Sequence, residues 1–187
     1  MDTGNLCLGV LCLGDASGYE IKKMFEESFS HFQAASFGSI YPALARLTDD
    51  GLVTFREEPQ EKRPTKKVFS ITPEGRTRFL DTLRNTEPTE QYRSDFLVLM
   101  MFAHLQPLDQ LERAIEIQAA NIRSELEILQ RILESCSDLT AGMRFTIEYG
   151  IAANQALLAL VEQRKAPLLE AISREQSRST PKETHHD

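Results

Sequence analysis

Hydrophobic residues are spaced differently in the two halves of the chain, with short elements first and long helices afterwards. Residues 6–13 are almost wholly apolar and predict a short buried helix that ends near Gly14. Ser17-Gly18-Tyr19-Glu20 then has the form of a capping box. In this motif the Ser17 hydroxyl accepts a hydrogen bond from a backbone N–H, and the Glu20 carboxylate accepts one from the Ser17 N–H. This motif predicts a second helix that runs to about residue 28.

The third predicted helix runs from Ser39 to Asp50. Pro42 is tolerated only in the first turn of a helix, which favours Ser39 over Ser36 as the N-cap. Gly51 then supplies a left-handed C-cap. The apolar residues that recur at helical spacing and predict a buried stripe are Ile40, Leu44 and Leu47. The side chains left on the outward faces are Tyr41, Ala45 and Arg46.

Two segments, 53–57 and 66–71, alternate apolar and polar residues and predict two strands. The segment 58–65 between them contains two prolines and several charges, so we expect it to be the exposed turn of a hairpin. Thr72 and Pro73 begin a fourth helix, with Thr72 as the N-cap and proline at the first helical position. Three helices, a hairpin and a fourth helix form a winged helix.

Beyond a polar linker at residues 85–91, the pattern is entirely helical. An apolar segment at 94–104 precedes two long helices separated by a break at 137–140. Their apolar stripes exceed what one antiparallel pair would bury, which predicts a homodimer. We therefore expect a mainly α fold with a small β-hairpin: a winged helix-turn-helix domain at 1–86, a helical dimerisation domain at 92–174 and a disordered tail at 175–187.

The composition, with 41% hydrophobic and 26% charged residues, is that of a soluble globular protein. No apolar run reaches the roughly 20 residues that span a membrane, and Asp2 lies where a signal peptide is positively charged, so we expect a cytoplasmic protein without membrane contact. Cys7, Cys12 and Cys136 form no CxxC pair and are interpreted as structural thiols, with redox sensing or metal binding as the alternative. The absence of phosphate-loop, nucleophile-elbow and dinucleotide motifs predicts no enzyme, cofactor or metal site.

The net charge of −7 opposes nucleic-acid binding, but its distribution does not. Between residues 62 and 78, six basic residues stand against one acid. The alternative is an ordinary solvated charge run. In a helix-turn-helix, the second helix of the pair presents its N-terminal residues to base edges in the major groove. Here that helix is the third, and the basic hairpin would contact the flanking phosphates.

The chain resembles the PadR family of regulators over residues 6–84. The resemblance is carried by three blocks: Gly18-Tyr19-Glu20-Ile21, the stretch from Gly38 through Leu47 that ends in Gly51-Leu52-Val53, and Phe69-Ser70-Ile71-Thr72-Pro73-Glu74-Gly75-Arg76. Thr48 departs from the pattern, since the family more often has a Glu there. The resemblance implies a homodimeric, usually repressing regulator that binds double-stranded DNA and often responds to small aromatic or cationic molecules.

The expected DNA-binding residues are Tyr19, Ser36, Ser39, Tyr41, Pro42, Arg46, Arg63, Lys66 and Lys67. Tyr19 either contacts a phosphate or packs on the hairpin, and Tyr41 either faces the groove or packs beneath the hairpin. Candidate effector-binding residues are Phe96, Met100 and Met101, with plain core or interface as the alternative. The competing function is a winged-helix adaptor without DNA binding, which would present neutral or acidic surfaces on the third helix and the hairpin tip.

Overall fold

The computed structural model describes residues 1–26, 37–60, 63–89 and 93–179. Their contacts divide the chain into two compact units, Met1–Glu90 and Gln91–Asp187, which we call the N-terminal unit and the C-terminal unit.

The described part of the N-terminal unit is a winged helix, as the sequence predicts. Its elements are α1 (Thr3–Leu13), β1 (Ala16–Ser17), α2 (Gly18–Met24), α3 (Ile40–Asp49), β2 (Val53–Gln60), β3 (Arg63–Ile71) and α4 (Pro73–Asn85). A 3₁₀ turn, Phe37–Ser39, leads into α3. The three strands form an antiparallel sheet in the order β1-β3-β2, and β2 and β3 are the wing.

Local sequence determines the ends of these helices. Both hydrogen bonds of the capping box between Ser17 and Glu20 are present at the start of α2. At the end of α3, Gly51 has φ of 70°, a left-handed conformation that a side chain would strain, and Leu52 N–H donates to the Leu47 carbonyl. Thr72 caps α4 by accepting from the Gly75 N–H. These three predictions are confirmed.

One hydrophobic core holds the N-terminal unit together, and α1 crosses it. Five consecutive or near-consecutive side chains of α1 are buried, which explains why its sequence is apolar all round: Leu6, Cys7, Leu8, Val10 and Leu11. They pack against Ile21, Leu44 and Val53 from the other elements. Burial raises the pKa of the Cys7 thiol to about 12, so this thiol is protonated and unreactive near neutral pH.

The wing differs from the sequence prediction in two respects. Its strands extend to Gln60 and from Arg63, so most of the segment expected to be a turn is strand. Pro59 permits this because it lies at an irregularity of the β2–β3 register, between Glu58 and Gln60, where a ladder hydrogen bond is not required. The sequence analysis also did not predict β1, whose two residues pair with β3.

The C-terminal unit is helical, with elements α5 (Asp95–Met101), a 3₁₀ turn (Ala103–Leu105), α6 (Leu108–Ser135) and α7 (Ala141–Ser179). Ion pairs from Arg123 to Glu162 and from Lys165 to Glu116 join α6 to an antiparallel α7. The α6 residues buried within the chain are Leu111, Ile115, Ala119, Ile122, Leu126 and Leu129. The two long helices therefore cover much of each other's stripes, so the stripes do not by themselves require a second copy, contrary to what the sequence analysis had expected.

The end of α7 corrects the expected tail. Residues 175–179 are helical rather than disordered. Arg, Glu and Gln in this stretch favour a helix, and Gln176 donates to the Gln106 carbonyl at 2.8 Å. The rest of the expected tail, 180–187, lies outside the described residues.

The described residues contain neither a membrane-spanning helix nor a metal-binding cluster. None of their helices is both long and apolar enough to cross a membrane. Among the same residues, no group of three or more His, Cys, Asp or Glu side chains is placed to hold a metal ion.

Candidate nucleic-acid interface

The outward face of α3 presents three of the residues that the sequence analysis assigned to DNA contacts. Burial of Ile40, Ala43, Leu44 and Leu47 fixes the rotation of the helix about its axis. As a result Tyr41, Pro42 and Arg46 are all exposed. Three of the predicted site residues are therefore available on one short helix.

Tyr41 lies against the start of α2 rather than beneath the wing. Its ring passes so close to Gly18 that a Cβ added there would be 2.6 Å from the Tyr41 Cε1 atom. The side chain is still 57% exposed. Because Gly18 has no side chain, the Tyr41 ring can lie on the α2 backbone. The rest of the Tyr41 side chain, which is expected to face DNA, stays accessible.

An open groove of about 630 Å³ runs between α2, α3 and the wing. Its lining includes Tyr19, Glu20, Tyr41, Lys66 and Lys67. Tyr19 is 68% exposed, so it does not pack into the hairpin. The structure therefore brings four of the predicted residues together, two tyrosines and two lysines, around one groove. Aromatic faces and ammonium groups are suited to stacking and to phosphate contact.

The two lysines of the groove are held in different ways. Lys66 Nζ donates to Glu20 Oε1 at 2.9 Å. Lys67 Nζ lies 4.3 Å from the centre of the Phe55 ring, a cation–π arrangement, and forms no ion pair with another described residue. Of these two lysines, only Lys67 forms no ion pair with a carboxylate of a described residue.

Glu20 is the functional candidate that sequence reasoning missed. Hydrogen bonds from the Ser17 backbone, from Lys66 and from the Ser17 hydroxyl lower the pKa of Glu20 to about 2. The capping box identified one of its partners, but Lys66 is 46 residues away along the chain. No local pattern could reveal that contact.

The structure corrects the role of Ser39. It occupies the N-cap position of α3, as predicted, but its side chain makes no capping hydrogen bond. Its Oγ lies 2.9 Å from Thr3 Oγ1, and the residue is half-buried. The hydroxyl is thus directed at α1, because the preceding 3₁₀ turn leaves Ser39 in a helical rather than an extended conformation.

The remaining predicted residues are not gathered at the groove. Ser36 lies outside the described residues, and only the backbone of Arg63 is described, at the start of β3. In the C-terminal unit, Phe96 is half-buried and Met100 packs against a small core cluster, whereas Met101 is 74% exposed. These last three therefore do not share one surface.

Replacing Tyr41 by phenylalanine tests whether its hydroxyl contacts DNA. We expect operator affinity to fall by roughly 1 kcal/mol, because one hydrogen bond is lost, while the melting temperature stays nearly unchanged since the side chain is largely exposed. Fluorescence anisotropy and differential scanning calorimetry on the same preparation measure both quantities. A variant that melts well below the parent but binds normally would assign the residue a purely structural role.

Comparison with known proteins connects this geometry to a family. Residues 7–81 match the family described as "Transcriptional regulator PadR-like family". Over 140 residues the chain is 29% identical to "Negative transcriptional regulator PadR" of Bacillus subtilis strain 168, a match that covers 74% of this chain and 77% of that protein.

Solved structures agree with the sequence match. The PadR-like transcriptional regulator BC1756 of Bacillus cereus superposes with a TM-score of 0.81 at 28% identity, over 90% of this chain and 96% of that one. Bacillus subtilis PadR in complex with operator DNA gives 0.74 at 25% identity, over 88% and 98%. The same Bacillus protein in complex with p-coumaric acid shows the same fold, with 0.65 at 23% identity, over 88% and 94%.

Proposed function

Because the chain belongs to the PadR-like family of transcriptional regulators, we propose that it binds a double-stranded operator as a homodimer and represses transcription from it. The groove is the observation that carries the proposal: Tyr19, Tyr41, Lys66 and Lys67 meet beside the exposed face of α3. The relative that superposes at 25% identity holds operator DNA.

In this proposal, α3 and the wing make different contacts with DNA. The first turn of α3, with Tyr41 and Pro42, enters the major groove and contacts base edges. Arg46, one turn further on, is placed for a base or a phosphate. The wing follows the flanking backbone, where its lysines fix position without reading sequence.

Salt dependence distinguishes the two wing lysines. Each phosphate contact contributes about 0.9 to the slope of log affinity against log salt concentration. We expect Lys67→Ala to flatten that slope by about one unit. Lys66→Ala should flatten it by clearly less, because Glu20 already pairs with this ammonium group. Binding isotherms on one duplex of shuffled sequence, from low to moderate salt, measure both slopes. Equal slopes for the parent and Lys67→Ala would contradict the proposed contact between the wing and the DNA phosphates.

The proposed dimer uses the surface of the C-terminal unit that the chain itself leaves uncovered. The exposed large apolar residues of α5 and of the segment that follows it are Leu97, Val98, Leu99, Met101, Phe102 and Leu105, and we call these six the apolar patch. Further exposed apolar side chains lie along α7: Phe145, Tyr149, Leu157 and Leu160. So many exposed apolar side chains favour association. A second copy would cover them and would double the number of α3 helices that one operator engages.

We further propose that a small aromatic or cationic effector releases the protein from its operator. The support for this effector is the relative that was crystallised with p-coumaric acid. Phe96 and Met100, four residues apart on one face of α5, remain candidate contacts, since a thioether and an aromatic ring adapt to flat ligands.

Transcription in vitro from the promoter upstream of the protein's own gene tests repression and release together. We expect added protein to reduce the transcript and p-coumaric acid, as the first probe, to restore it. Unchanged transcript at concentrations that saturate the DNA would contradict repression. An unrestored transcript across a panel of aromatic acids and aromatic cations would contradict release by an effector of that class.

A further inference from the structure

The carboxylate of Glu20 serves two structures at once. Its Oε2 atom accepts from the Ser17 N–H and from the Ser17 hydroxyl, both at 2.8 Å, which caps α2. Its Oε1 atom accepts from Lys66 Nζ at 2.9 Å, which joins α2 to the wing strand β3. The capping bonds prevent the carboxylate from swinging away, so a negative charge is fixed in the groove that is to receive DNA.

We propose that Glu20 is a specificity-determining residue that limits the affinity of the wing for DNA of any sequence. This inference rests on the proposed DNA binding. A phosphate that approaches Lys66 meets an ammonium group already neutralised, and it also meets the negative charge of Glu20. Binding that depends on phosphate contacts alone is therefore weakened, and discrimination is left to the side chains of α3.

The exposure of the pair indicates that it can be opened. The side chain of Lys66 is 29% exposed and that of Glu20 is 51% exposed. An ion pair of this exposure contributes little net stability. An operator that binds in the correct register can therefore break the Glu20–Lys66 ion pair. A duplex that is bound loosely makes fewer contacts that could compensate for breaking it. Glu20 acts through Lys66 and through the local charge, without itself reading a base.

Glu20→Gln separates this role from helix capping. Glutamine retains an oxygen that accepts from the Ser17 N–H, and it is an accepted third residue of a capping box. It loses the charge that neutralises Lys66. The matched control is Glu26→Gln, which removes the same charge just beyond the C-terminal end of α2, where Glu26 pairs with Lys22 and does not line the groove.

The experiment measures the affinity of the full-length protein for its own promoter duplex and for a shuffled duplex, across a range of salt concentrations. We expect Glu20→Gln to bind the shuffled duplex roughly three- to tenfold more tightly near 0.1 M salt and to steepen the salt slope by about 0.9. The ratio of operator to shuffled affinity should fall. Glu26→Gln should change all three quantities much less.

A second variant identifies the group that is released. In the background of Glu20→Gln, the further change Lys66→Ala should remove the gain in slope and most of the gain in affinity. Equal effects of Glu20→Gln and Glu26→Gln, or gains in slope and affinity that Lys66→Ala leaves undiminished, would overturn the proposal. A parent protein that binds neither duplex would instead refute the proposed function.

Discussion

Gly75→Ala will destabilise the N-terminal unit by about 3 kcal/mol, the largest effect that we expect from any single methyl group in this chain. A Cβ at this position would lie 2.1 Å from the Leu52 carbonyl oxygen, which belongs to the backbone and cannot rotate away. The first turn of α4 rests on the end of α3, because Thr72 N–H donates to that same carbonyl and Thr72 Oγ1 donates to the Gly51 carbonyl. The added methyl group would separate these two helices.

Calorimetry of the full-length protein measures this effect, and Gly4→Ala is the matched control. In α1 a Cβ at Gly4 meets only Asp2 Oδ1, at an ordinary 3.5 Å, so the substitution should be neutral or stabilising by up to about 1 kcal/mol. For a domain of this size, the loss at Gly75 corresponds to a fall in melting temperature of more than about 10 °C. Equal melting temperatures for the two variants would contradict the close packing of α4 on Leu52.

Charged residues in the apolar patch will separate the proposed dimer and reduce operator affinity by about 100-fold or more. Leu97 and Leu105 are 50% and 73% exposed in the single chain, so glutamate at both positions should leave each protomer folded. It would place charges in the proposed interface. Losing the second α3 removes the effective concentration that links two binding events, which is worth about 10² to 10⁴ in affinity.

Methionine at the same two positions is the control, since it keeps the patch apolar. Sedimentation at micromolar concentration should give a dimer for the parent and the methionine variant and a monomer for the glutamate variant. Anisotropy on the promoter duplex should follow the same order. A parent protein that sediments as a monomer would contradict the proposed dimer. A monomeric glutamate variant with parental DNA affinity would contradict its link to binding.

Local chemistry made much of the winged helix predictable. The capping box at Ser17, the left-handed Gly51 and the Thr72-Pro73 start of α4 each depend on a few neighbouring residues, and each is present. The pattern of α3 likewise determined which side it buries, and hence that Tyr41 and Arg46 are exposed. These features need no knowledge of the rest of the chain.

Contacts between distant segments were not predictable in this way. The two-residue strand β1 has no periodicity of its own and is defined by its pairing with Val68 and Phe69. The Ser39 hydroxyl turns to Thr3, 36 residues away, and Lys66 turns to Glu20. An apolar stripe also does not reveal what covers it, which is why the stripes of α6 and α7 were assigned to a dimer interface although the two helices pack on each other.

The central claim, that this chain reads an operator with α3 and is positioned on it by its wing, is tested most directly by footprinting. Full-length protein is added to the promoter DNA upstream of its own gene and the backbone is cleaved by hydroxyl radicals. A homodimer that reads DNA with two equivalent α3 helices predicts two protected patches related by two-fold symmetry, and both should weaken together in Tyr41→Phe. No protection, or protection at random positions along the DNA, would contradict the claim.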